Sequence, residues 1–306
     1  MHAPLKIILD TDIGPDCDDA GALSVLHALS SVAEVDILGI THCTSNPYGA
    51  GCIDAINHYY GRPNLPVGTL SIKGFLDEPK WQIYNRHITE NFPNRFKTGP
   101  APDATKLMRK LLAEQPDYSV VVIGIGPLIN LAHLLQSPSD EHSVLDGRDL
   151  VAKKVIRLVS MAGRFEVDDS GKQPVEWNVE MDIASARSVC DQWPTPIVFC
   201  PFEVGVHVIT GKGLMARAGD KNPVKKAYEL FMKGTGRSSW DLITVLIAVR
   251  GLLKMWRLSE NGQVSIDDTG CSLFEPKSKG PHCYVINSAS LGEMEEYLEN
   301  LLISAA

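Results

Sequence analysis

No apolar run in this chain approaches the roughly 20 residues that a bilayer-spanning helix needs, so an α-helical membrane protein is not expected. Cysteine is sparse and scattered: Cys17, Cys43, Cys52, Cys190, Cys200, Cys271 and Cys283 are odd in number and contain no Cys-x-x-Cys pair. That pattern argues for reduced thiols and against a structural zinc site. No dense Lys/Arg run is present, and the net charge is -8, so a nucleic-acid partner is not expected. The segment from Met1 to Lys6 lacks signal-peptide architecture, and the expected location is the cytoplasm. There is no internal repeat, low-complexity tract or flexible linker. The expectation is therefore one domain over 1–306, with surface insertions around 73–102 and 163–179.

What the chain does have is acid in one place. Asp10, Asp12, Asp16, Asp18 and Asp19 follow the apolar run Ile7-Ile8-Leu9 within a few residues. Packing five carboxylates beside a buried strand is costly unless a cation offsets their repulsion. Calcium and magnesium take oxygen ligands of this kind. Asp10 and Asp12 are two apart and share a side if the strand continues, while Gly14 permits a tight turn and Asp18-Asp19 returns at a helix start. The spacing lacks the ligand alternation of an EF-hand, and there is no lysine-bearing phosphate loop. Gly211-Lys212-Gly213 is too short for one and reads as a turn. The plain alternative for the acids is a helix cap plus solvent-exposed carboxylates.

Around this run, short apolar segments alternate with helical ones. Strands are expected at Leu5–Leu9, Val35–Thr41, Val67–Gly68, Tyr118–Ile125, Val155–Met161 and Pro196–Cys200. Helices are expected at Asp16–Leu29, Tyr48–Tyr60, Ala101–Glu114, Leu128–Leu135, Asp182–Asp191, Gly219–Gly234, Trp240–Met255 and Gly292–Ser304. Short β pieces fall within Cys271–Ala289, and the glutamates at 293, 295, 296 and 299 read as a solvated helix face. The pattern predicts an α/β fold with an open, mostly parallel sheet flanked by helices. Ligands of such sheets bind beyond the carboxyl ends of the strands, where Asp10 and Asp12 lie.

Asp10-Thr11-Asp12-Ile13-Gly14, with Asp18-Asp19-Ala20-Gly21-Ala22-Leu23, resembles the opening signature of the inosine-uridine nucleoside hydrolases. Gly126-Pro127-Leu128-Ile129-Asn130, Ser160-Met161-Ala162-Gly163, Pro174-Val175-Glu176-Trp177-Asn178 and Trp240-Asp241 are similar to later blocks of that family, in the same order. The resemblance covers about residues 5 to 250 and implies a nucleoside-hydrolase-like fold with one Ca2+ at the strand ends. The implied reaction is hydrolysis of the N-glycosidic bond of a ribonucleoside, giving base and ribose. By the resemblance Asp12 is the general base and a metal ligand. Asp19, Asp241 and the backbone carbonyl of Ile125 complete the metal site. Asp18, Asn46, Met161, Glu176 and Asn178 bind or line the ribose, and Asp10 supports from behind. A homodimer or homotetramer and a small-molecule nucleoside or related riboside are the implied partners.

The chain also departs from that pattern. Pro15-Asp16-Cys17 lengthens the first loop, and Asp16 either points into the site or caps the helix. Trp240 stands where a proton-donating histidine is common. Tryptophan does not release a proton at neutral pH but stacks on a flat base, or packs in the core. The leaving group then needs another donor, needs less help, or belongs to a different ribosyl compound. Asp168 to Pro174 lacks the family's Gly-Asn and offers Ser170 instead. Arg237 meets an anionic substrate or pairs with an acid. His42 is a proton donor or a structural hydrogen-bonding group. Trp81 and Tyr84 belong to a flap or to the interior. Against the hydrolase stand a ribose-binding protein without catalysis and a magnesium-dependent phosphatase with Asp10 as nucleophile.

Overall fold

A computed structural model describes residues 3–97, 100–168 and 171–304. Its strands are β1 (Leu5–Thr11), β2 (Val35–His42), β3 (Val67–Thr69), β4 (Val120–Gly124), β5 (Val155–Ser160) and β6 (Ile197–Phe199), then β7 (Ile209–Thr210), β8 (Arg237–Ser238), β9 (Trp256–Leu258), β10 (Gly262–Ile266), β11 (Ser272–Pro276) and β12 (His282–Asn287). The main sheet runs β3-β2-β1-β4-β5-β6-β12-β10-β11, with β9 on β12. From β3 to β12 the neighbours are parallel, and the antiparallel pairs are confined to one end. The mostly parallel sheet flanked by helices is as expected.

Burial on both faces explains the unbroken apolar runs. Ile7, Leu9, Val121 and Ile123 join one core with the helices Asp18–Ser31 and Trp240–Arg250. Ile8, Val120 and Val122 point the other way, into a core with the helices Ala104–Ala113, Ile129–Gln136 and Ile183–Gln192. The chain adds strands on one side of β1 and then crosses to β4 on the other. Such a reversal opens a crevice between two strand ends, the usual ligand site of a doubly wound sheet.

Several boundaries differ from the sequence reading. The first helix starts at Asp18 rather than Asp16, because the Asp16 carboxylate accepts from the Cys17 amide and from Arg237. The helix at 240 stops at Arg250, where Gly251 turns to φ +72°. The helix expected over 219–234 spans Pro223–Met232 and is capped by Asn222, whose Oδ1 accepts the Val224 and Lys225 amides. Helices at Gly147–Lys154 and Lys212–Arg217 and strands β9 and β10 were not legible. The acidic face of the final helix is only partly solvated. Glu295 accepts the Ile209 amide at 2.7 Å, and Glu299 accepts those of Gly211 (2.8 Å) and Leu214 (2.6 Å). Gly211, at φ +100°, opens the helix whose amino end Glu299 satisfies.

Among the described residues no helix is long and apolar enough to cross a membrane. The seven cysteines are free thiols, and all but Cys271 are buried.

Candidate active site

The site grows from the ladder at the sheet's carboxyl edge. Beyond the strand ends the pairing continues: Ile125 donates to the Asp10 carbonyl (2.8 Å), Cys43 to that of Thr11 (2.9 Å), and Met161 to that of Gly124 (2.8 Å). These bonds hold the segments after β1, β2, β4 and β5 side by side, so residues far apart in sequence enter one crevice. Gly126 is needed at their junction, since a Cβ there would lie 2.7 Å from Asp12 Oδ1 and 2.7 Å from the Cys43 sulfur.

The crevice is a cavity of about 300 Å3 whose floor is acidic. Asp12, Asp18, Asp19 and Asp241 line it and are at most 5% exposed. Oxygens of Asp18, Asp19 and Asp241 lie within 4.8 Å of one another. Asp18 Oδ2 accepts the Asp241 amide at 3.2 Å, and Thr11 donates its hydroxyl to Asp19. Burial and the neighbouring charges push Asp18, Asp19 and Asp241 well above the usual carboxylate range, and burial pushes Asp12 up to about 7. So many acids at one point stay ionised only around a cation. An all-oxygen set with the Ile125 segment alongside suits a hard divalent ion. The plain reading of these acids as solvent-exposed fails on their burial.

Asp10 sits behind the floor. It is 1% exposed, does not line the cavity, and accepts from the Thr41 hydroxyl (2.6 Å) and Asn130 Nδ2 (2.8 Å). This placement suits a support role and leaves no approach for a phosphatase nucleophile.

Three of the residues expected on the sugar side come together as well. Met161, Glu176 and Asn178 line the cavity. Asn178 Nδ2 donates to the Met161 carbonyl at 2.9 Å. Glu176 accepts the amides of Asn178 (2.8 Å), Gly163 (3.1 Å) and Val179 (3.2 Å), thereby capping the helix Trp177–Met181. Burial raises its pKa to about 7 in spite of those donors.

The walls are aromatic: Trp81, Trp177, Phe202 and Trp240. Trp81 meets Trp177 edge to face at 5.4 Å between centroids, and Phe202 leans on Trp240 at 5.5 Å. The Trp240 indole N–H donates to the Phe202 carbonyl at 2.8 Å. Gly205 makes room for it, because a Cβ there would be 2.6 Å from Trp240. Trp240 is thus a wall of the cavity rather than a core residue. Arg237 and Asp16 occupy the same cavity. The guanidinium holds Asp16 in a two-pronged ion pair, with Nε 3.0 and 2.9 Å from its two oxygens, and lies 5.1 Å from the Trp240 ring centroid. The inserted residue therefore points into the site and meets Arg237 there; it is not a helix cap.

Other expectations are corrected. Asn46 does not line this cavity; its Nδ2 donates to the Trp81 carbonyl (3.2 Å) and its Oδ1 accepts the Tyr48 amide (3.1 Å), so it anchors the wall. His42 is fully buried, bonded to Thr44 and Thr69, and burial lowers its pKa to about 3, which fits a structural group and not a proton donor. Tyr84 is interior, its hydroxyl donating to the Asp16 carbonyl, whereas Trp81 from the same insertion reaches the cavity. Ser170 lies outside the described residues. Trp177 and Phe202, which line the cavity, were not singled out beforehand. Trp177 stands inside a quoted block, between Glu176 and Asn178, and could have been flagged there; Phe202 carried no local signal.

Comparison with known proteins points to one family and fold. The model of the family described as inosine-uridine preferring nucleoside hydrolase matches residues 7–291. No curated protein matches the sequence. Among solved structures, an inosine-uridine preferring nucleoside hydrolase from Bacillus anthracis superposes with a TM-score of 0.72 at 16% identity, over 98% of this chain and 99% of that one. A purine-preferring ribonucleoside hydrolase from Gardnerella vaginalis gives 0.71 at 17%, over 98% and 99%. The type III effector protein XopQ, complexed with adenosine diphosphate ribose, gives 0.71 at 15%, over 100% and 95%.

Proposed function

This chain belongs to the inosine-uridine preferring nucleoside hydrolase family, and we propose from that premise that its cavity hydrolyses a ribonucleoside at the N-glycosidic bond with the help of calcium. The enzyme class, nucleoside N-ribohydrolase, follows from the family. The observation that carries the finer reading is the cavity floor, where Asp12, Asp18, Asp19 and Asp241 converge beside Ile125, Glu176 and Asn178.

In this reading Asp12, Asp19, Asp241 and the Ile125 carbonyl hold the ion, and the closeness of Asp18 to Asp19 and Asp241 adds it to the set. When bound there, a calcium ion would supply Lewis acidity that makes a neighbouring water easier to deprotonate. Asp12 accepts the proton of the attacking water. Trp177 lines the cavity with Asp12 and favours the charged form of that carboxylate. Glu176, Asn178 and Met161 grip the ribose from the opposite side, and the Glu176 carboxylate meets the positive charge that develops on the sugar as the bond to nitrogen lengthens. Trp81, Trp240 and Phe202 enclose the flat leaving group. Attack by water in one step inverts the anomeric carbon.

The decisive experiment is ribose release from a panel of purine and pyrimidine nucleosides, with calcium or with chelator, and with Asp12→Asn as control. Release that needs both calcium and Asp12 supports the reading. No release by folded, calcium-loaded protein defeats it and favours a ribose-binding protein. A second reading, hydrolysis of a less usual riboside, is favoured by the missing histidine at Trp240 and by the adenosine diphosphate ribose bound to one structural neighbour. The resemblance also leads us to propose a cytoplasmic homodimer or homotetramer, which sedimentation would test.

A further inference from the structure

Neither Arg164 nor Glu203 lines the cavity, yet both are fastened to its wall. Phe202 belongs to a helix of only four residues, Phe202–Gly205, which is too short to be rigid by itself. What holds it is the turn that follows β5. The Gly163 carbonyl accepts the Phe202 amide at 3.0 Å, and the Gly163 amide donates to Glu176 Oε2 at 3.1 Å. Gly163 takes φ +87°, a conformation that favours glycine, so one residue ties the wall to the Glu176 side of the cavity.

Glu203 closes this circuit. Its Oε1 accepts the amides of Phe165 (2.7 Å) and Glu166 (2.6 Å), two backbone donors on one carboxyl oxygen. Gln173 fastens the turn from another side, its Nε2 donating to the carbonyls of Arg164 (2.6 Å) and Ser272 (2.5 Å). Phe165 stacks on Tyr284 at 4.4 Å between centroids and meets Phe274 edge to face, which anchors the turn against the core that Val120 and Val122 enter.

Between these fixed points the Arg164 guanidinium lies 4.5 Å from the centroid of the Phe202 ring, a cation–π contact. Its Nε is buried with no hydrogen-bond partner among the described residues. The turn therefore keeps Arg164 on the ring at the expense of its own polar contacts. Phe202 in turn leans on Trp240, whose ring carries the Arg237 guanidinium.

From this network we propose that Glu203 and Arg164 are positioning residues for the cavity wall: Glu203 fixes the 163–166 turn, and the turn presses Arg164 against Phe202. Their part in turnover rests on the N-ribohydrolase reading, and their hold on the wall does not.

The test uses the calcium-loaded full chain and its Glu203→Ala, Glu203→Gln and Arg164→Ala variants. Amide hydrogen exchange needs no turnover. Glu203→Ala should speed exchange at Phe165, Glu166 and Phe202 by about tenfold or more, while β1 and β4 keep their protection. Glu203→Gln, which retains an accepting oxygen, should restore it. Unchanged exchange at Phe202 in Glu203→Ala overturns the proposal. With a nucleoside that the parent hydrolyses, a wall that binds ground state and transition state alike governs KM and leaves kcat within about threefold. KM should rise roughly tenfold in Glu203→Ala and roughly threefold to tenfold in Arg164→Ala, with Glu203→Gln near the parent. Arg164→Ala alone carries this arm if Glu203→Ala does not fold. An unchanged KM, or a fall in kcat alone, overturns the proposal and leaves the hydrolase reading standing. No turnover by the parent removes that reading, and exchange at Phe202 then decides whether Glu203 holds the wall.

Discussion

The floor and the walls of the cavity are built in opposite ways. The floor hangs from strand ends and the first turns of two helices, so backbone ladders fix its carboxylates, and Asp18 and Asp241 meet through a backbone amide. The walls come from loops and short elements: Trp81 from a 3₁₀ turn, Trp177 from a five-residue helix, Phe202 from a four-residue one. Rigid elements suit chemistry that needs fixed distances, while loops suit selection among leaving groups. Damage to the floor should therefore stop the reaction, and damage to the walls should redirect it.

The largest effect is expected from Asp12→Asn. Losing the base should lower kcat by about 10³-fold or more while far-ultraviolet dichroism stays unchanged. Measurable kcat within tenfold of the parent would break the contrast at its strongest point. Next comes removal of the ion. Calcium at about 100 times its Kd should stabilise the fold by about 2.7 kcal/mol, seen as a rise in Tm that chelator reverses. Asp241→Ala should abolish that rise. On the wall side, Trp240→Ala should raise KM and cut kcat/KM by roughly tenfold, with Trp240→Phe recovering most of it. A fall in kcat alone would show that Trp240 acts on the floor.

Smaller effects sharpen the boundary between the two regions. Burial lifts the pKa of Glu176 to about 7 in the folded protein, above its ordinary value of 4.5. The fold then holds this proton more tightly than the unfolded chain does. That stabilisation is complete below about pH 4.5 and is lost as pH rises through about 7. Metal-free protein should lose Tm between pH 5 and pH 8, and Glu176→Gln should flatten the slope. The smallest effect belongs to Arg237 and Asp16, about a third and a quarter exposed. A double-mutant cycle should give about 1 kcal/mol or less of coupling in stability. The pair's value lies in the charge it cancels beside Trp240.

The same division governs what the sequence reveals. Asp10, Asp12, Asp18 and Asp19 are clustered along the chain, so their spacing announces a site before any contact is known. Asp241 is legible only through its neighbour Trp240 and the family resemblance. Strand periodicity gives β1, β4 and β5 because burial on both faces leaves unbroken apolar runs. Phe202 escapes, and Trp81 stays open between flap and interior, because what makes them walls is a meeting of distant segments. Asn46 shows the reverse error: an asparagine beside the site carried a ribose role by resemblance, while its amide instead fastens the Trp81 backbone. The engagement of Glu295 and Glu299 is hidden for the same reason, since their partners lie more than 80 residues earlier.

One contact also sets an order in time. Asp18 and the Asp241 amide are 223 residues apart, and the floor is incomplete until they touch. A chain emerging from the ribosome can pair β1 with β2 long before its last acidic side chain exists. For the calcium site proposed above, capture of the ion is then expected late in biogenesis, and its uptake during refolding would report completion of the whole fold rather than of its first half.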